Sequence, residues 1–455
     1  MTKFFNKDVD MTNGTLFNKM VVFAIPLALA ALLQQLFVSV DMAVVGKFVG
    51  KAELAAVGGN NVIIHLLVNL FMGLSVGSNV VISRFIGAGN INSAKRSVST
   101  SLILALICGI IIMILGVLFS RQMLVLISSP EDVIDFATVY LRIYFLGAPF
   151  IMLYNFASAI LRSRGDTVGP FICLLTGGIS NVFLNLLFVL VFHMSVSGVA
   201  IATSVSNMIS AVMILGMLAK NGGELSISFK DLAIDGKIVS KIIGIGLPVG
   251  IQSCLFPISN MLVQSSINSL GTIMVAGNAV ASTIETYSWN IAGGFDQANI
   301  TFVSQNYGAK KIDRCRKAVR ISLISNMVLI LTFNLIVYLL LDVVLGMFTT
   351  DPLVVEVAKE RLIFMYVVFW IAIVLNIFTT ALRGLGYSVV PTIISVMGIC
   401  VFRVFWVLTV FKISPSLISV LTVYPISWGM VAVALIIMYI IVMRKLKKEN
   451  KVDLG

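Results

Sequence analysis

The sequence predicts an all-α polytopic membrane protein, with twelve transmembrane helices in two six-helix lobes related by pseudo-two-fold symmetry. Three observations carry that expectation. The 455 residues are 59% hydrophobic and only 11% charged, against about 25% charged in ordinary soluble domains. Long apolar runs alternate with short polar or Gly/Pro breaks. Motifs recur at an offset of 221 residues, the mark of an internal repeat. So little charge cannot cover a soluble surface, which excludes a cytosolic enzyme, a nucleic-acid module or a disordered tail.

The spans fall near 20–46, 54–82, 97–120, 134–158, 167–192, 197–219, 239–266, 272–304, 318–345, 361–382, 389–411 and 416–443. Their apolar runs are continuous rather than alternating, so they read as helices and not as barrel strands. The first 19 residues are polar, and the run Val21 to Gly46 is too long for a signal-peptide core; no cleavage is expected. When the spans are threaded in order, 24 of the 32 Lys and Arg residues fall on the side of the amino terminus. Lys47, Lys51, Arg121, Lys359, Arg361 and Lys412 fall at the opposite ends, and Arg142 and Arg403 within spans. That bias puts both termini in the cytoplasm. The net charge of +12 is then a topology signal with some attraction to anionic lipid, and no nucleic-acid partner is needed to explain it. Five scattered cysteines, with no CxxC pair among them, read as small apolar fillers.

The repeat pairs Leu161-Arg162, Gly165 and Pro170 with Leu382-Arg383, Gly386 and Pro391. It also pairs Ser83, Gly87 and Ala88 with Ser304, Gly308 and Ala309, and Asn155 with Asn376. Pro26 and Pro248 differ from the offset by one. An offset of six helices gives both halves the same orientation, so they are parallel repeats. The expected lobes are 1–219 and 238–455, with a polar cytoplasmic linker over 220–237. Two similar lobes suit alternating access. No Walker A motif is present, so the chain is not expected to hydrolyse ATP, and energy must come from an ion gradient, a partner or the substrate's own gradient.

Acids within the spans are few: Asp41, Glu285 and Asp296, with Asp342 near a helix end. A carboxylate at bilayer depth costs ~3 kcal/mol or more, so each is a functional candidate. At 1.5 Å per residue, Asp41, the i, i+4 pair Asn181 and Asn185, and Thr203 share a depth of roughly 9–18 Å from one membrane face. Hard oxygen ligands of this kind suit Na⁺; a desolvated carboxylate can instead carry a proton; a structural hydrogen-bond network is the third reading. Glu285, Trp289, Gly293 and Asp296 form one stripe on the eighth span. An acid one turn from an indole suits an organic cation; the alternative for Glu285 is a buried pair with Arg403 or another base. Arg403 is expected to snorkel or to neutralise an acid. Pro26 and Pro248 lie inside helices and are candidate hinges, or static kinks.

Ala24-Ile-Pro26-Leu27, the run Asp41-Met-Ala-Val-Val-Gly46-Lys-Phe-Val-Gly50, Gly87-Ala88-Gly89-Asn90 and the repeated Leu-Arg motif together resemble the MATE (multidrug and toxic compound extrusion) family, in its MepA-like bacterial branch. The resemblance covers nearly the whole chain. It implies a V-shaped MATE/MOP-type antiporter of the bacterial inner membrane that exports small organic cations against H⁺ or Na⁺, with no cofactor. It also implies a cation site in the first lobe at Asp41, Asn181, Asn185 and Thr203, with Glu285 as the acid of the second lobe. A monomer embedded in the lipid bilayer is expected. A lipid-linked oligosaccharide or polysaccharide flippase of the same superfamily, or a non-transporting membrane scaffold, are the rival readings.

Overall fold

A computed structural model describes residues 9–221, 225–226 and 232–452. Helices account for nearly all of it. The first half contains α1 (Leu16–Phe48), α2 (Lys51–Gly87), α3 (Ile91–Leu126), α4 (Glu131–Leu146), α5 (Ala148–Arg164), α6 (Val168–Leu186) and α7 (Val196–Asn221). The second contains α8 (Gly236–Asn268), α9 (Thr272–Gly308), α10 (Ile312–Leu339), α11 (Leu341–Gly346), α12 (Pro352–Gly384), α13 (Val389–Ser395), α14 (Phe402–Trp406) and α15 (Leu417–Val452).

These fifteen helices make twelve spans. The fourth is the pair α4 and α5, bent by 47° at Gly147, ahead of Pro149 in the first turn of α5. The fifth is α6 prolonged by a π-helical turn, Leu187–Val191. The ninth joins α10 to α11 across Leu340. The eleventh is α13 and α14 with π-helical turns Val396–Val401 and Val407–Phe411. Among the described residues ten helices are long and apolar enough to cross a membrane, and the bent pair makes an eleventh. The one left over is α9, the eighth in order, which is less apolar and carries Glu285 and Asp296. Large apolar side chains such as Phe183, Val212, Val328 and Ile441 stay exposed, as lipid-facing positions do. The chain is an integral membrane protein.

Packing divides the chain into two compact units. One gathers the described residues within Met1–Asp10 and Leu29–Ile251, the other those within Met11–Ala28 and Gln252–Gly455. The boundaries fall inside the unbroken helices α1 and α8, within four residues of Pro26 and Pro248. Each unit thus keeps the first half of the other repeat's opening helix. The reason is close backbone packing. A Cβ on Gly73 of α2 would lie 2.3 Å from the Gly250 nitrogen and 2.5 Å from the Gly246 carbonyl of α8. In the second unit a Cβ on Gly294 of α9 would lie 2.8 Å from the Ala24 carbonyl and 2.9 Å from Ala28 of α1.

The repeat is visible in hydrogen bonds as well. Asn79 of α2 donates to the Ala159 carbonyl at 3.0 Å. Asn299 of α9 donates to the Ile377 carbonyl at 2.8 Å and to Thr380 at 2.9 Å. Gly165 and Gly386 close α5 and α12 with φ of 111° and 86°, a left-handed conformation that glycine adopts without strain.

Candidate functional site

In the first unit the polar residues of α1, α6 and α7 form one chain. Asn185 donates through Nδ2 to Asp41 Oδ1 at 2.5 Å and to Asn181 Oδ1 at 3.2 Å. Asn181 donates in turn to the Thr203 hydroxyl at 3.4 Å, and Thr203 donates to the Val199 carbonyl at 3.0 Å. Asn181 and Asn185 are buried, and Asp41 and Thr203 half-buried. Two glycines one turn earlier on α6 make this meeting possible. Without a Cβ at Gly178 the Phe37 ring of α1 lies against the α6 backbone, and without one at Gly177 Ser210 of α7 does the same. Asp41 follows Phe37 by one turn, so the same contact delivers the carboxylate to Asn185.

Two tyrosines join this site that the sequence did not single out. Tyr140 and Tyr144 of α4 lie within electrostatic range of Asp41, with their rings stacked at 6.2 Å. Their i, i+4 spacing was the available signal.

In the second unit a cavity of about 530 Å³ is lined by residues of α8, α9, α12, α14 and α15. That volume suits a drug-sized ligand. Glu285, Arg361 and Arg403 are 6%, 5% and 4% exposed, so all three charges are effectively removed from water. Glu285 has both oxygens engaged: Oε2 pairs with Arg361 Nη2 at 3.0 Å, and Oε1 accepts from Trp289 Nε1 at 3.1 Å. Arg361 also donates to Asn278 Oδ1, and Asn278 donates to Gln264 at 2.8 Å. Arg403 donates to Asn260 Oδ1 at 2.6 Å and lies 4.4 Å from the centre of the Tyr424 ring. Trp289, Tyr424 and Trp428 line the cavity: Trp289 meets Trp428 at 5.7 Å, and Trp428 meets Tyr424 at 5.5 Å, while Phe369 backs Trp289 from the core at 4.8 Å.

Two expectations are corrected here. Arg361 does not sit at a helix end: α12 begins at Pro352, nine residues earlier, which carries Arg361 ~14 Å into the span. Glu285 therefore pairs with Arg361 and not with Arg403. Nor does Arg403 snorkel: it is buried, its guanidinium resting on an amide and a ring, with Glu285 within electrostatic range but ion-paired to Arg361.

Asp296 is not part of this cavity. It follows Glu285 by three turns of α9, ~16 Å along the axis. Its Oδ1 is buried with no hydrogen-bond partner, and Arg383, of the repeated Leu-Arg motif, lies within electrostatic range. Arg383 itself donates to Gln252 at 2.7 Å. Gly293, on the same stripe, has open space around its backbone.

Comparison with known proteins agrees with the duplication. The MatE family model matches residues 26–187 and again 248–409. The probable multidrug resistance protein YoeA of Bacillus subtilis (strain 168) is 27% identical over 397 residues, covering 85% of each chain. The multidrug export protein MepA of Staphylococcus aureus (strain MRSA252) is 22% identical over 397 residues, 86% of this chain and 87% of that one. A crystal structure of MATE in the bent conformation shares the fold with a TM-score of 0.90 at 22% identity, covering 97% of this chain and 99% of the other. An outward-facing multidrug resistance MATE family transporter of the MOP superfamily matches with TM-score 0.90 at 23% identity and the same coverage. With its two halves both matched and its helical architecture shared, the chain belongs to the MatE family, whose members are transporters and not enzymes.

Proposed function

We propose that the chain exports small organic molecules in exchange for H⁺ or Na⁺, by alternating access between lobes 1–219 and 238–455 joined by the linker 220–237. The export relatives support the direction and the cargo scale. One observation carries the coupling: an in-span carboxylate joined to two buried amides and a hydroxyl. In the arrangement seen, Asn185 turns its amide donor toward Asp41 Oδ1. Its own Oδ1 is buried and accepts nothing. Turning the amide over sets that oxygen against the carboxylate, and two acceptors face to face require a proton or a cation between them. Asp41, Asn181, Asn185 and Thr203 then supply oxygens of the kind Na⁺ prefers.

Pro26 and Pro248 are the proposed hinges. Each leaves a carbonyl unpaired one turn earlier, and each lies where a continuous helix passes from one compact unit to the other. The basic bias of the amino-terminal side supports cytoplasmic termini.

The cavity of the second unit is the proposed cargo site, with Glu285 and Trp289 in its wall. A purely cationic cargo has to displace Arg361 from Glu285 to reach the carboxylate.

Purified protein in liposomes, with pH and Na⁺ gradients imposed separately, tests the coupling. Cargo movement that follows one gradient is the expected result. Movement indifferent to both, and to Asp41→Asn, overturns it.

A further inference from the structure

The charges in the cavity of the second unit do not cancel. Arg361 and Arg403 place two guanidiniums there, and Glu285 supplies one carboxylate, already engaged by Arg361 and Trp289. Among the described residues Arg403 makes no ion pair: Glu285 lies within electrostatic range of it, but that carboxylate is held by Arg361, so two guanidiniums share one acid, and Arg403's one hydrogen bond goes from Nη1 to Asn260. Its Nε is buried without an acceptor. A guanidinium stays charged in any protein environment, and an uncompensated buried charge is costly. An amide oxygen and a tyrosine face soften that cost without neutralising it.

The π-helical turns show how this charge comes to face the cavity. Val396–Val401 and Val407–Phe411 bracket the short α14 that carries Arg403. Such turns widen a helix and re-aim its side chains, and they are frequent at functional sites.

We infer that the cavity enclosed by α8, α9, α12, α14 and α15 binds an aromatic organic anion, or the carboxylate end of an aromatic zwitterion, with the carboxylate against Arg403 and the ring against Trp289 and Trp428. Guanidinium and carboxylate form the strong, directional pair, and Arg403 lines the cavity with a single side-chain hydrogen bond of its own, from Nη1 to Asn260. Trp289, Tyr424 and Trp428 meet edge to face, leaving flat surface for a planar ring. The inference rests on the reading of this cavity as the cargo site.

Binding to purified protein in detergent, with no gradient applied, separates this inference from the coupling proposal. The probes are 2-naphthoate, its methyl ester and 2-naphthylmethylammonium, followed by quenching of tryptophan fluorescence. Naphthoate is expected to bind at least about tenfold tighter than the ester or the amine, the loss typical of one charge-assisted hydrogen bond. Arg403→Gln should remove that preference, and Arg403→Lys should keep part of it. Glu285→Gln, which removes the one carboxylate lining the cavity, should raise naphthoate affinity. A cation site gives the reverse signs: the amine binds best, Glu285→Gln weakens it and Arg403→Gln strengthens it. That pattern overturns the inference, and so does equal binding of all three probes or quenching by none of them. Thermal denaturation of each variant identifies one that has failed to fold, and the comparison of the three probes on wild-type protein stands without any variant.

Discussion

The two halves of this chain place different chemistry at matching positions. Arg403 lies 222 residues beyond Asn181, Tyr424 lies 221 beyond Thr203, and Arg361 lies 221 beyond Tyr140. The contacts match too: Asn181 touches Thr203, and Arg403 lies over Tyr424. Asp41 corresponds at an offset of 222 to Val263, which lines the cavity of the second unit. The extra residue ahead of Arg403 falls across the turn Val396–Val401, since Pro391 still lies 221 beyond Pro170 and a π-helical turn accommodates one inserted residue. In the first unit these positions make a small site with an acid and neutral oxygens. In the second they make a roomy aromatic site with two bases. Duplication supplied two equivalent frames, and four positions differ between them in charge and polarity, the contrast on which the proposed division between ion site and cargo site rests.

The largest effect that tests this division is on transport. Asp41→Asn should abolish gradient-driven efflux of dye from vesicles, yet leave ligand affinity in the second unit within about twofold, because the two sites share no partner residue. Equal loss of binding and transport breaks the division. Next comes stability. Glu285→Gln leaves Arg361 buried beside a neutral amide, and breaking one partner of a buried pair costs about 3–5 kcal/mol. Thermal melts in detergent should show it, and the double variant Glu285→Gln/Arg361→Gln should recover most of the loss. Asp41→Asn, with no cation partner of its own, should change the melt far less.

A smaller effect is expected from Gly178→Ala. The new methyl meets the Phe37 ring, and overpacking costs about 1–3 kcal/mol. Since the same contact sets Asp41 against Asn185, coupling should weaken along with stability, measured as a reduced response of efflux to the imposed gradient. Smallest is Thr203→Val. It removes the hydroxyl that accepts from Asn181, worth about 1 kcal/mol, and should weaken dependence on the coupling ion several-fold while sparing cavity binding.

Much of this was legible in the sequence, for definite reasons. Asp41, Asn181, Asn185 and Thr203 fall at one depth by helical rise alone, so arithmetic placed them at one level, and the structure links them by hydrogen bonds. Glu285 and Trp289 are one turn apart, and their bond follows. Arg361 was misplaced because the stretch Asp351 to Glu360, with four charged residues and a proline, reads as a loop beside the apolar run that follows. The overlooked signal was the helix start. Asp351 accepts from the Leu353 amide and Pro352 occupies the first turn, a cap that fixes the beginning of α12 nine residues before Arg361. Hydropathy finds the part of a helix that faces lipid and misses turns that project beyond it. The pairing of Glu285 with Arg361 was hidden for another reason: the partners come from different spans, and a single chain records no distance between α9 and α12.

The interlocking of Gly73 with α8 and of Gly294 with α1 bears on how such a protein is made. A fragment stopping after α7 lacks the strut that α2 needs, and one beginning at α8 lacks its counterpart from α1. Neither contiguous half can finish its own interior, so the ribosome must deliver most of the polypeptide before either bundle is complete. Cutting the chain between α7 and α8 should therefore yield a working molecule only when both pieces are synthesised together in one membrane.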